Sequence, residues 1–182
     1  MKFNVLDDEI VRLADAERDQ YFLTSPEKLS LLVQAADIRA TDYVVEIGAG
    51  VGTVARTLPS CASLTLIELD SRFADIIRAN VPEAHVIQGD GLSLLQDMQD
   101  LRCDVLLSNL PTSLTEPLIE LLPAIPFRTA VIVMNTDTVP LELLKPYFEY
   151  QVVTAIGGDD FQPAQPVQSM LVKITRVFRR CR

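Results

Sequence analysis

From about Tyr43 to Tyr147 the sequence alternates five times between a short apolar, β-branched run and a segment with helical spacing. Strands are expected at about 43–47, 64–68, 84–87, 104–107 and 130–134, and helices at about 51–58, 71–80, 91–98, 114–122 and 138–147. Strands that are apolar on both sides can be buried only in a mostly parallel sheet with helices on each face. Two further strands, about 149–156 and 169–177, have no helical pattern between them, and Pro163 and Pro166 break that connection. They should pair as an antiparallel hairpin. The expected fold class is α/β: a doubly wound, Rossmann-like, seven-stranded and mostly parallel sheet with a C-terminal antiparallel hairpin. Ligands of such a sheet lie beyond the carboxyl ends of the strands.

Two helices are expected ahead of the sheet. Leu6, Ile10 and Leu13 make residues 6–18 amphipathic, a candidate lid. Thr24 with Glu27 fits a capping box, Pro26 suits a first helical turn, and Leu29, Leu32, Val33 and Ala36 then share one face. The 182 residues read as one domain, with N-terminal helices over 1–40 and a Rossmann-like core over 41–178. No apolar run approaches the length of a membrane span, and Met1–Glu9 lacks the apolar stretch of a signal peptide, so a cytoplasmic protein is expected. Cys61, Cys103 and Cys181 are far apart and His85 stands alone, so no metal site is expected. The net charge of −9 argues against a nucleic-acid partner, and the short basic tail Arg176, Arg179, Arg180 and Arg182 reads as a solvated end.

Gly48, Gly50 and Gly52 follow the first strand directly. Glycine permits a tight turn and close backbone approach to a ligand, and the next helix would offer its N-terminus to negative charge. Glu68 ends the second strand, where a carboxylate can accept both hydrogen bonds from a ribose diol. A dinucleotide fingerprint is G-x-G-x-x-G. This turn is G-x-G-x-G, with Thr53 at the third dinucleotide glycine and Glu46 two residues before Gly48. The pattern favours S-adenosylmethionine (SAM) over NAD or FAD, because SAM has no pyrophosphate. Asp90 ends the third strand, placed either to accept from an adenine amino group or to cap the next helix.

The fourth strand runs into Ser108-Asn109-Leu110-Pro111-Thr112. The Asn109 side-chain carbonyl and the neighbouring backbone carbonyl accept only, and together can hold an amino group with its lone pair free; Pro111 stiffens the loop. Catalysis there would rest on orientation.

These segments resemble the ribosomal RNA adenine N6-dimethyltransferase family, which includes macrolide-resistance methyltransferases. Asp19-Gln20-Tyr21-Phe22-Leu23 is similar to its Gly-Gln-Asn-Phe-Leu, which lines the SAM site; the resemblance assigns Tyr21 and Leu23 there. Glu46-Ile47-Gly48-Ala49-Gly50 is similar to Glu-Ile-Gly-x-Gly, Ile67-Glu68-Leu69-Asp70 to Ile-Glu-x-Asp, and Gln88-Gly89-Asp90 to the adenine-reading segment. Asn109-Leu110-Pro111 with Glu116-Pro117-Leu118 resembles Asn-Leu-Pro-Tyr…Thr-Pro-Leu. Phe161-Gln162-Pro163 with Val167-Gln168-Ser169 resembles Phe-x-Pro-x-Pro-x-Val-x-Ser. The resemblance implies a class I SAM methyltransferase with cofactor contacts at Tyr21, Leu23, Glu46, Gly48, Gly50, Glu68, Asp90 and Asn109, catalysis at Asn109, Leu110 and Pro111, and acceptor contacts at Thr112 and Phe161.

Three departures shape the expected acceptor. Thr112 stands where the family has an aromatic residue that stacks on the flipped base. The sequence stops where the family continues into a helical RNA-gripping domain, and the charge is −9. N-methylation of a small molecule, lipid, peptide or protein is therefore favoured over RNA. The alternatives are rRNA or RNA adenine N6-methylation, and a non-catalytic SAM-binding or scaffold module.

Overall fold

The computed structural model describes residues 13–15, 19–97, 102–135, 144–145 and 147–177. The expected helix over 6–18 lies outside them but for 13–15, and that over 138–147 but for 144, 145 and 147. Arg179, Arg180, Cys181 and Arg182 also lie outside.

In chain order the elements are β1 (Phe22–Leu23), α1 (Pro26–Ala36), β2 (Tyr43–Ile47), β3 (Ser63–Glu68), α2 (Ser71–Asn80), β4 (His85–Gln88), α3 (Gly91–Asp97), β5 (Val105–Asn109), α4 (Thr112–Leu121), β6 (Thr129–Asn135), β7 (Phe148–Ile156), β8 (Phe161–Gln162) and β9 (Ser169–Arg176). The large sheet has seven strands in the order β4-β3-β2-β5-β6-β9-β7. The first five run parallel, and β9 lies antiparallel between β6 and β7. Chain direction reverses its crossover between β2 and β5, which opens a crevice at their carboxyl ends.

Strand alternation sends apolar side chains to both faces. Val44, Val105, Leu107, Val131 and Val133 join one core with Leu29, Leu32, Phe73 and Ile77. Val45, Leu106, Ala130, Ile132 and Met134 join the other with Leu118, Ile119 and Phe127. The Arg176 guanidinium lies over the Phe127 and Phe148 rings and donates to the carbonyls of Leu122, Pro123 and Ile125. It satisfies the carbonyls past α4, so this arginine is a half-buried brace and not part of a solvated tail.

Two further expectations are corrected. Residues 51–58 hold turns and one 3-10 turn, Ala55–Thr57, in place of a helix. Gly48, Gly50 and Gly52 all have positive φ (74°, 56° and 81°), and β-branched Val51, Thr53 and Val54 resist helix. Three left-handed residues keep the chain turning until it reaches Pro59. The capping box at Thr24 does not form: α1 starts after Ser25, with no side-chain cap. Instead Thr24 and Ser25 donate their N–H groups to the Asp160 carbonyl, at 2.9 and 3.1 Å. That tie accompanies a two-stranded unit, β1 with β8, which pairs Leu23 with Phe161 and Phe22 with Gln162. Strands of two residues carry no periodicity, so neither was legible in the sequence.

Candidate functional site

The parallel register brings the ends of four strands level. Ile47 lies beside Ile67 and Ser108, and Glu68 beside Gln88. The loops beyond these ends enclose a cavity of about 470 Å³, lined by Tyr21, Glu46, Gly48, Gly50, Glu68, Asp90, Asn109, Leu110 and Pro111 among others. Nearly all the sequence-predicted residues thus meet in one place. Leu23 is the exception: it is fully buried within β1 and lines neither this cavity nor its neighbour. A second cavity, about 240 Å³, adjoins the first and is lined by Thr112, Asn135, Phe161, Gln165, Pro166 and Val167. Asp19, Tyr21, Asn109, Leu110 and Pro111 line both.

The glycine turn is packed too tightly for side chains. A Cβ on Gly48 would meet Leu110 Cδ2 at 2.7 Å, and one on Gly50 would run into the Phe22 ring. Glu68 is 8% exposed, and its two oxygens accept the N–H groups of Gly50 and Asp70, each at 2.8 Å. Burial pushes its pKa up while those donors pull it down. A carboxylate has about four lone-pair sites, so capacity remains for further donors from the cavity. Asp90 caps α3 by accepting from Leu92 N–H at 3.0 Å and the Ser93 hydroxyl at 2.8 Å. The cap is formed, and Asp90 also lines the cavity.

Glu46 is 2% exposed, and its Oε2 has no hydrogen-bond partner among the described residues. Burial and then the neighbouring Glu68 charge raise its pKa to about 8. A buried orphan acceptor is expensive unless a donor arrives from the cavity it lines. Asn109 donates through Nδ2 to the Tyr21 carbonyl at 3.1 Å, which leaves its Oδ1 as the free acceptor.

Sequence reasoning missed the hydrogen-bonded strap at the wall of the first cavity. Gln20 donates to Asp70 Oδ2 at 3.1 Å and accepts from Arg72 Nη2 at 3.3 Å. Asp70 also caps α2 by accepting from Arg72 N–H, and the Arg72 side chain holds its carboxyl well below the usual range. Asp19 has φ 53°, left-handed, at the place where the resembled motif carries glycine; that mismatch was its only signal. Asp159 and Asp160, the two residues before Phe161, line neither cavity; the Asp160 carboxylate accepts the Gly157 N–H at 2.8 Å and braces the loop.

Charge decides what the first cavity can take. Among the described lining residues are five acidic side chains, Asp19, Glu46, Glu68, Asp70 and Asp90, of which Glu46 holds its proton at neutral pH, and no lysine, arginine or histidine. No α-helix follows the glycine turn to present its N-terminus. A pyrophosphate would meet repulsion without compensation. A nucleoside carrying an ammonium and a sulfonium fits both the charge and the orphan Glu46 oxygen.

The profile of the family described as ribosomal RNA adenine dimethylase matches residues 15–180. A ribosomal RNA small subunit methyltransferase A from Corynebacterium efficiens is 30% identical over 182 aligned residues, covering 86% of this chain and 63% of the relative. An rRNA adenine N-6-methyltransferase from Bacillus licheniformis is 27% identical, with 86% and 60% covered. The crystal structure of a dimethyladenosine transferase from Plasmodium falciparum superposes with a TM-score of 0.76 at 23% identity, over 86% of this chain and 63% of that one. The chain therefore spans about three fifths of the length of these curated relatives.

These names correct the expected preference for a small-molecule, lipid, peptide or protein acceptor over RNA: the relatives that align with most of the chain are named as rRNA methyltransferases. The preference leaned on net charge, a whole-chain sum that says nothing of a local face, and on Thr112, one residue of a cavity wall that other side chains share.

Proposed function

The chain belongs to the ribosomal RNA adenine dimethylase family, and from that premise we propose that it transfers methyl groups from SAM to the N6 amino group of an adenine in RNA. One observation carries the reading: an acidic cavity, with no lysine, arginine or histidine among its described lining residues, meets a second cavity of mixed polar and apolar wall at Asn109-Leu110-Pro111. Bound SAM supplies a methyl group activated on a sulfonium. Glu68 and Asp90 accept from its ribose and adenine, while Glu46 accepts from a cationic group. Asn109 Oδ1 and the Leu110 carbonyl accept from the acceptor amine and turn its lone pair toward the first cavity. An exocyclic amine needs no strong base before attack, so orientation is the main contribution of these residues.

The test is incubation with methyl-labelled SAM and unmodified transcripts of ribosomal RNA, followed by digestion to nucleosides. Label is expected in N6-methyladenosine and N6,N6-dimethyladenosine. Bound SAM with no label in adenosine would overturn the reading. Glu68→Ala is expected to weaken SAM binding by about 1–3 kcal/mol, the scale of unpaired buried polar contacts. Calorimetry checks it, and unchanged affinity would mean that the ribose lies elsewhere.

A further inference from the structure

The second cavity has an unusual wall. At about 240 Å³ it is smaller than a drug-sized site, and Asp19 is the only acid or base besides Tyr21 among its described lining residues. Leu110, Pro111, Phe161, Pro166 and Val167 supply flat or apolar surface, and Asn109 supplies a free amide oxygen at the junction. Such a wall suits an uncharged planar ring bearing an amine. Bases taken out of a stack are held by rings and by edge hydrogen bonds.

Two aromatic residues line this cavity, and they differ in exposure. Phe161 is 4% exposed, spent largely on the core. Tyr21 is half-buried, and it alone among the aromatics lines both cavities, so it stands where the amine must meet the methyl group. Its backbone is fixed on both sides. Gln20 is tied to Asp70 and Arg72, and Phe22 packs edge-on against Phe73 with ring centroids 5.4 Å apart. Phe22 and Leu23 pair with Gln162 and Phe161, and the Tyr21 carbonyl holds the Asn109 amide. A ring on a pre-ordered segment loses little freedom when a base docks.

Resting on the reading of an adenine acceptor, we infer that Tyr21 is an acceptor-positioning residue whose ring is the surface on which the target base stacks, so that Thr112 need not supply one. The hydrogen bond from Asn109 to the Tyr21 backbone carbonyl then ties the segment that carries the ring to the amide: the ring fixes the plane of the base and Oδ1 fixes its amine.

The test compares wild type, Tyr21→Leu and Tyr21→Phe in SAM binding by calorimetry and in KM and kcat on unmodified ribosomal RNA transcripts. Tyr21→Leu should raise KM roughly 5- to 150-fold, the worth of one base–aromatic stack, and weaken SAM binding by a clearly smaller factor, since Tyr21 also lines the first cavity; Tyr21→Phe keeps the ring and should lose far less in KM than Tyr21→Leu. Unchanged KM in Tyr21→Leu, or equal damage in both variants, overturns the inference, the latter by pointing to the hydroxyl. Equal loss of SAM binding overturns it as well, since the ring would then belong to the cofactor wall. Transfer to RNA by wild type with Tyr21→Leu unaffected sinks only the inference. A wild type that transfers nothing to RNA sinks the adenine reading and the inference with it. A binding measurement covers the case of a Leu variant that does not fold. Wild type and Tyr21→Phe, both saturated with S-adenosylhomocysteine, should quench 2-aminopurine riboside fluorescence; absence of quenching overturns the inference.

Discussion

Asn109→Ala is expected to slow methyl transfer roughly a hundredfold while SAM affinity changes by less than about tenfold. The asymmetry follows from what Asn109 touches. Its Nδ2 is already used by the Tyr21 carbonyl at 3.1 Å, so Oδ1 faces the junction of the two cavities as an acceptor. The cofactor cavity keeps Glu46, Glu68 and Asp90 without it. The acceptor amine loses the group that aims its lone pair, and a misplacement of about 1 Å at such a centre costs on the order of 10²-fold. Asn109→Asp separates the two halves of the residue. It keeps an acceptor oxygen but cannot donate, and it sets a carboxylate against the Tyr21 carbonyl. An intermediate rate with a looser Tyr21 segment is expected. Single-turnover rates with saturating SAM measure both variants, and wild-type turnover in Asn109→Ala would place the amine elsewhere.

Most of this arrangement was legible in the sequence, because it is carried by long-period signals. Five alternating units left little choice but a parallel sheet, and the interruption by Pro163 and Pro166 foretold the β7–β9 pairing. Glu68, Asp90 and Asn109 were expected together because strand ends of such a sheet converge, a property of the topology and not of the side chains, and they line one cavity. What escaped notice is short or long-range. The 3-10 turn at Ala55–Thr57 defeated helical spacing, since positive φ at Gly50 and Gly52 is a backbone property that periodicity does not report. The β1–β8 pair and the Gln20–Asp70–Arg72 strap join residues 50 to 140 positions apart, and no local pattern marks them. The role of Arg176 was hidden likewise. Read as part of a basic tail, it belongs to the Phe127–Phe148 stack and the turn at Leu122–Ala124. The acceptor expectation failed for a related reason, since composition was used to judge a surface that only three-dimensional placement defines.

Glu46 should make both stability and SAM affinity depend on pH. Its side chain is enclosed, its Oε2 lacks a partner, and Glu68 stands beside it, so the folded protein holds its proton up to about pH 8. The unfolded chain releases that proton near 4.5. Between those values the folded state binds more protons than the unfolded one, so stability is fully present below 4.5 and falls as pH rises through 8. Without ligand, the folding equilibrium should weaken by up to roughly tenfold per pH unit across this window from Glu46 alone. Glu68, also raised, adds to the same trend, and no cation among the described cavity residues opposes it. Glu46→Gln should flatten the dependence and exceed wild type in Tm at pH 8. Ligand binding reverses the sign. A cationic ligand group favours the ionised carboxylate, so SAM must displace the Glu46 proton. Its affinity should rise by up to about tenfold per unit between pH 6 and 7.5, below the range where an α-amino group itself titrates. Calorimetry in buffers of different ionisation enthalpy should count close to one proton released in wild type and markedly fewer in Glu46→Gln. Equal proton release in the two proteins would mean that Glu46 does not meet the cationic end of the ligand.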